Sequence, residues 1–191
     1  MRLVMTLSLC ALTSACAFTA SEGVASQDTE LSVSEDSLSS GDKAALRDVR
    51  EALKGHTSRG SEGDPTQYKA ALLPSSLTGE LSVAKIAAAA GPVIPELRAV
   101  RKTTGGTYAA QAGLPMDQYW RNELTRAGSV PEQTRVVNLM NTVNAKMRNI
   151  KNVVVGVKHN GSLENGSVAP MLVGNLPSGR VVALYGIDTW T

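Results

Sequence analysis

Between residues 42 and 54 the apolar positions are Ala45, Leu46, Val49, Ala52 and Leu53, spaced by three and four so that they share one helical face. Ser40 or Asp42 is placed to cap the start, and Gly55 stands where helices often end in the left-handed conformation. Residues 67–73 form an apolar-leaning run closed by Pro74, which predicts a short strand. Further helices are predicted over 81–90, ended by Gly91-Pro92, and over 95–102, followed by a loop at 103–106. Another is predicted over 115–127, drawing its buried side from Met116, Tyr119, Trp120 and Leu124.

The longest helix is predicted to begin near Val130. Ser129 and Glu132 have the spacing of a capping box, and Pro131 falls in the first turn. Val136, Met140, Val143, Met147 and Ile150 follow at helical intervals, so the helix is expected to run to about Asn152. Beyond it the pattern changes to β-rich runs at 153–158, 168–173 and 180–191. Two of the gaps carry turn chemistry, Asn160-Gly161 and Pro177-Ser178-Gly179. Three such runs with short links predict an antiparallel meander, and helices packed on it give an α+β layered domain whose last strands are C-terminal. In the last strand Val182 and Leu184 belong to one face, Val181, Ala183 and Tyr185 to the other.

Composition narrows what such a domain does. The chain has 191 residues, enough for one domain with flanking segments. It has two histidines and two cysteines, both cysteines within the first sixteen residues, which leaves no set for a structural zinc ion or a disulfide scaffold. No apolar run approaches the ~20 residues of a membrane span. Residues 3–12 are an apolar stretch of signal-peptide length after Arg2. Thr13-Ser14-Ala15-Cys16 then resembles a bacterial lipobox, with Cys16 acylated and residues 1–16 carrying the export signal and its lipobox-like end. The alternative is ordinary cleavage nearby, giving a secreted chain. Both readings put the domain outside the cytoplasm, and Ala17 after the cysteine suggests the outer membrane of a diderm bacterium.

Residues 17–42 are serine-rich and hold six acidic residues with no Lys or Arg, which predicts a solvated tether. The remaining 43–191 carry 18 basic and 11 acidic side chains, a net of +7. No long basic stripe with interleaved aromatics accompanies that charge, so direct nucleic-acid binding is not expected.

Catalytic motifs are missing from the sequence: no G-x-S-x-G elbow, no phosphate-binding Walker loop, no H-E-x-x-H helix and no EF-hand-like acidic loop. Ser61, flanked by glycines, reads as a turn residue, with His56 and His159 distant in sequence. The chain is therefore expected to be a binding protein rather than an enzyme, with no cofactor and no resident metal. Two features stand out from composition. One is the loop 55–65 after the first helix; the other is the terminal run Gly186-Ile187-Asp188-Thr189-Trp190-Thr191, a strand that reaches the last residue of the sequence. Such an end would put a carboxylate and the Thr191 hydroxyl at a defined spot.

Together these features resemble the inhibitor family of the sugar-non-specific nuclease A. The resemblance rests on the first helix leading into Ser61-Glu62-Gly63-Asp64-Pro65, on Met171-Leu172-Val173-Gly174, on Ser178 through Leu184, and on Asp188-Thr189-Trp190-Thr191. It covers roughly 43–191. It implies a helix/sheet/helix sandwich that acts as a protein inhibitor. In that family a loop glutamate and the terminal threonine enter the nuclease active site near its divalent ion, and Glu62 and Thr191 are the corresponding positions here. Asp64 and Trp190 would flank the contact. Hard divalent cations favour oxygen ligands, which suits a carboxylate in that role. The expected partner is a protein, a metal-dependent nuclease, with a membrane involved only through a lipid anchor. The alternative function is a cell-envelope interaction module that keeps the fold without inhibition.

Overall fold

The computed structural model of this chain describes residues 34–57, 66–77, 80–159, 162–163 and 166–190. Five helices and seven strands lie among them: α1 (Ser40–Leu53), β1 (Lys69–Leu72), α2 (Val83–Ala90), α3 (Pro95–Thr104), β2 (Thr107–Ala112), α4 (Met116–Arg126), α5 (Val130–Lys146), β3 (Arg148–His159), β4 (Ser162–Leu163), β5 (Gly166–Asn175), β6 (Val181–Tyr185) and β7 (Asp188–Trp190). The sheet is antiparallel throughout, in the order β1-β6-β5-β3-β2, with β4 paired to β3 and β7 to β5. The fold is α+β with its last strands C-terminal, as the sequence predicts, and β3, β5 and β6 form the expected meander.

Helices cover both faces of this sheet. Leu46, Val49, Val136, Leu139, Val143 and Trp120, from α1, α5 and α4, pack with Leu72, Leu172, Val182 and Leu184. Ile86, Ala90 and Leu97, from α2 and α3, pack with Val153, Val155, Met171, Val181, Ala183 and Tyr185. The two sets predicted for the last strand thus each line their own core. Burial on both sides explains why Val181–Tyr185 is a continuous apolar run, every residue of it buried.

The helix ends follow local chemistry. Ser129 accepts from the Glu132 amide while the Glu132 carboxylate accepts from the Ser129 amide, completing the predicted capping box. Gly55 has φ +77, as expected of the residue that ends the first helix. The cap of α1, however, is Ser39, whose hydroxyl accepts from the Asp42 amide. Asp42 turns its carboxylate elsewhere. It is wholly buried and accepts from both the amide and the hydroxyl of Ser178, in the turn between β5 and β6.

Three expectations are corrected. The tether predicted over 17–42 is shorter at its C-terminal side, because Glu35–Ser37 form a 3₁₀ turn, Leu38 is buried in the core and Asp42 is pinned to Ser178. Counted from residue 34, the domain has 18 basic and 14 acidic side chains, so its net charge is +4. The last helix stops at Lys146, since Met147 is already extended at φ −125 and ψ 156 and β3 begins at Arg148. Met147 keeps its place in the core and Ile150 packs against it from the strand, which is why their helical spacing misleads. Finally, β2 lies where no element is predicted. Its sequence, TYAAQA, is alanine-rich and lacks alternation. Pairing with β3 over Thr107–Ala112 holds it at the edge, and Tyr108 packs so tightly on Gly91 that a Cβ there would stand 2.3 Å from its ring.

Candidate partner-binding site

The last strand is set by one proline. Met171 pairs with Tyr185 and Gly166 with Trp190, so β6 and β7 run along β5 in a single register. They are interrupted at Gly186-Ile187, opposite Pro170 and Ala169 of β5. Gly186 donates its amide to the Pro170 carbonyl at 3.2 Å, but Pro170 has no N–H to return. The next residue turns to another partner. The Thr66 hydroxyl accepts from the Ile187 amide and donates to the Ile187 carbonyl, each at 2.8 Å. One side chain therefore supplies both halves of a strand pairing, at the point where β1 has not yet begun.

Thr66 is also the first described residue after the 58–65 segment. On the other side of that segment, the His56 amide bonds to the Leu53 carbonyl at the end of α1. The His56 carbonyl accepts from the Tyr68 amide at 2.9 Å, and Thr57 bridges to Gln67. The His56 ring lies 3.2 Å through Nε2 from the Arg135 carbonyl, to which that nitrogen donates. Burial lowers the imidazole pKa and the nearby Arg135 charge adds to this, outweighing the opposite pull of the hydrogen bond. Both roots of the loop are thereby fixed to the same end of the sheet as the terminal strand.

A pocket of about 200 Å³ opens beside these roots, lined by Thr57, Tyr68, Tyr119, Glu123, Arg126 and Asp188 among others. Tyr68 and Tyr119 share a hydrogen bond through their hydroxyls. Both phenols are pushed upward: burial is the main cause for each, with the Glu123 and Asp188 carboxylates adding to it for Tyr68. Asp188 carries a shielded Oδ1 with no hydrogen-bond partner. A polar, partly enclosed surface with spare acceptor capacity can receive a donor from a partner. Among the described residues no group of three or more His, Cys, Asp or Glu side chains is arranged to hold a metal ion.

Of the residues the sequence singles out, Glu62, Asp64, Thr191 and Cys16 lie outside the described residues, as does the Asn160-Gly161 turn. For Trp190 the backbone is described, paired with Gly166. What the structure brings together is the flanks: Thr57 and Thr66 on one side, Ile187 and Asp188 on the other. Sequence reasoning missed Thr66, the tyrosine pair and the Asp188–Glu123 pocket. The sequence carries no signal for the first: Pro170 leaves the Gly186 carbonyl short of a donor, whereas Thr66 pairs with Ile187. No helix among the described residues is long and apolar enough to cross a membrane. Set beside known proteins, the chain matches no protein-family model and no curated protein.

Proposed function

We propose that this chain is an extracytoplasmic protein-binding protein that inhibits a metal-dependent, sugar-non-specific nuclease and is held at the cell envelope through an acylated Cys16. The observation that carries the reading is the Thr66–Ile187 double hydrogen bond, which ties the root of the 58–65 loop to the root of the terminal strand. An inhibitor that fills an active site with two sequence-distant segments needs their bases fixed to each other before binding. Otherwise the ordering cost falls on the complex. In this reading Glu62 offers its carboxylate to the nuclease's divalent ion, Thr191 supplies a second oxygen, and Asp64 and Trp190 flank them. Tryptophan is enriched where interfaces concentrate their binding energy. The net charge of +4 for the packed domain is a smaller obstacle to meeting a basic nuclease groove than the +7 of 43–191 alone.

The test is titration of a metal-dependent, sugar-non-specific nuclease with the chain, followed by the Glu62→Ala and Thr191→Ala variants. The wild type is expected to block cleavage of both DNA and RNA at near-stoichiometric ratio. Glu62→Ala is expected to weaken inhibition about 10- to 1000-fold, the loss typical of one partner removed from a buried charged contact. Full nuclease activity in excess wild-type chain would overturn inhibition. Stable binding without inhibition would favour the envelope module instead.

A further inference from the structure

At the other end of the sheet, around the turn between β5 and β6, lies an open pocket of about 700 Å³ whose lining includes Ser37, Arg148, Asn149, Ser178 and Arg180. Three features there bear on what the pocket can hold, and two of them are guanidinium groups that form no ion pair among the described residues. The first is the Arg180 guanidinium. Its Nη1 donates to the Ser37 hydroxyl at 3.2 Å, while Nε and Nη2 are shielded from solvent and have no acceptor. Those two nitrogens are neighbours on one edge of the planar group, where their N–H bonds run parallel. That edge matches two oxygens of a phosphate or carboxylate, and leaving it unpaired away from water is costly.

The second feature is Arg148. It is exposed, and among the described residues neither it nor Arg180 forms an ion pair. The carboxylate in the pocket wall, Asp42, spends its hydrogen bonds on the amide and hydroxyl of Ser178 and forms no ion pair with either guanidinium, so two positive side chains face one negative one across the lining. The third is backbone strain beside Arg148. Asn149 has φ +51, and the β3–β5 register shifts between Arg148 and Lys151. Such irregularities re-aim a side chain, and a residue held in the left-handed region must be over-determined by its surroundings. The pocket is larger than a bare anion needs, and Leu77 and Leu176 give it an apolar wall.

We infer that this pocket binds a phosphate group carried on a small organic substituent, with Arg180 gripping two oxygens through its Nε–Nη2 edge and Arg148 neutralising the remaining charge. A free phosphate ester and a phospholipid headgroup share this chemistry. The site lies at the opposite end of the sheet from Thr66 and Ile187 and stands independently of the proposed inhibitory surface.

The experiment is calorimetric titration of the full chain with inorganic phosphate and with glycerol 3-phosphate. Co-sedimentation with phosphatidylglycerol and phosphatidylcholine vesicles runs alongside. Saturable binding of glycerol 3-phosphate is expected, tighter than that of inorganic phosphate. Arg148→Gln and Arg180→Gln should each weaken it by about 10- to 100-fold, and Arg180→Lys, which keeps the charge but loses the edge, by about 10-fold. Arg148 makes no side-chain hydrogen bond among the described residues, so its variant tests the site without disturbing the fold. Sedimentation with phosphatidylglycerol but not phosphatidylcholine, lost in Arg148→Gln, identifies the headgroup as the source; binding of the soluble ester alone identifies a free ester. No saturation with either soluble probe to about 10 mM, together with no sedimentation, overturns the inference. So does a folded Arg148→Gln chain that binds like the wild type.

Discussion

Asp42 is the side chain whose loss should cost this domain most per atom removed. It sits in the first turn of α1, wholly buried, and accepts from the Ser178 amide at 3.1 Å and from the Ser178 hydroxyl. Truncation to alanine removes two bonds to a charged acceptor, each worth about 1.5–3 kcal/mol. It also removes a negative charge from a helix N-terminus, worth about 0.3–1 kcal/mol. Two effects pull the total toward the low end. The buried carboxylate carried a desolvation penalty that disappears with it, and Ser178 is exposed enough for its hydroxyl to turn to water. The Ser178 amide loses its one acceptor. We expect Asp42→Ala to cost about 3 kcal/mol, or a Tm lower by about 6–12 °C for a domain of this size. Ser178→Ala removes only the hydroxyl bond and should cost about 1 kcal/mol. The double variant should fall short of additivity by about 1 kcal/mol, since the second change finds the bond already gone. Urea denaturation with unchanged slope measures all three. A loss below about 1 kcal/mol for Asp42→Ala, or strict additivity, would refute the reasoning.

The remaining predictions address the other end of the sheet and the N-terminus. Deleting residues 186–191 removes the β7 pairing, the half-buried Ile187 and both Thr66 bonds, and should cost about 3–5 kcal/mol by thermal melting; an unchanged Tm would mean the tail contributes nothing. His56 has a pKa lowered from about 6.5, so folding favours its neutral form. Its contribution is therefore complete above the unfolded pKa of about 6.5 and lost progressively below it, levelling off beneath the folded value. Urea midpoints from about pH 7.5 down to about 5.5 (roughly one unit above and below) should drop more steeply for the wild type than for His56→Gln, and parallel curves would contradict this. Metabolic labelling with a fatty-acid analogue should mark the wild type and leave Cys16→Ala unmarked; equal labelling of both ends the lipobox reading.

The fold was legible wherever one rule governed a segment. Ser129 and Glu132 announced the start of α5, and the apolar face of α1 is the one that is buried. The alternate sets along Val181–Tyr185 were readable because pleating assigns them to opposite faces whatever covers each face. Legibility failed where tertiary pairing overrides a local pattern. Met147 and Ile150 continue the helical spacing of α5, yet they pack against the same core from extended backbone. β2 exists because β3 offers it an edge, and nothing in its alanine-rich sequence asks for a strand. Asp42 looked like the last charge of a solvated tether. Its partner, Ser178, is 136 residues away, and no local pattern reports such a contact.

Pro170 shows how a central strand accommodates a residue that argues against it. A proline in a central strand usually counts against the assignment, because a ladder bond is lost. Here β5 lies between β3 on one side and β6 with β7 on the other. The Pro170 carbonyl is met by the Gly186 amide, so its hydrogen-bonding edge faces the last strand rather than β3. Only that pairing suffers, and β3 keeps its register with β5 on both sides of Val154. The cost falls on the Gly186 carbonyl, which loses a donor at the link between β6 and β7; the amide and carbonyl of the next residue, Ile187, face the opposite edge and are held by Thr66. Thr66 is the residue through which the 58–65 loop rejoins the domain. The Thr66 hydroxyl contact couples the position of the loop root to the root of the tail.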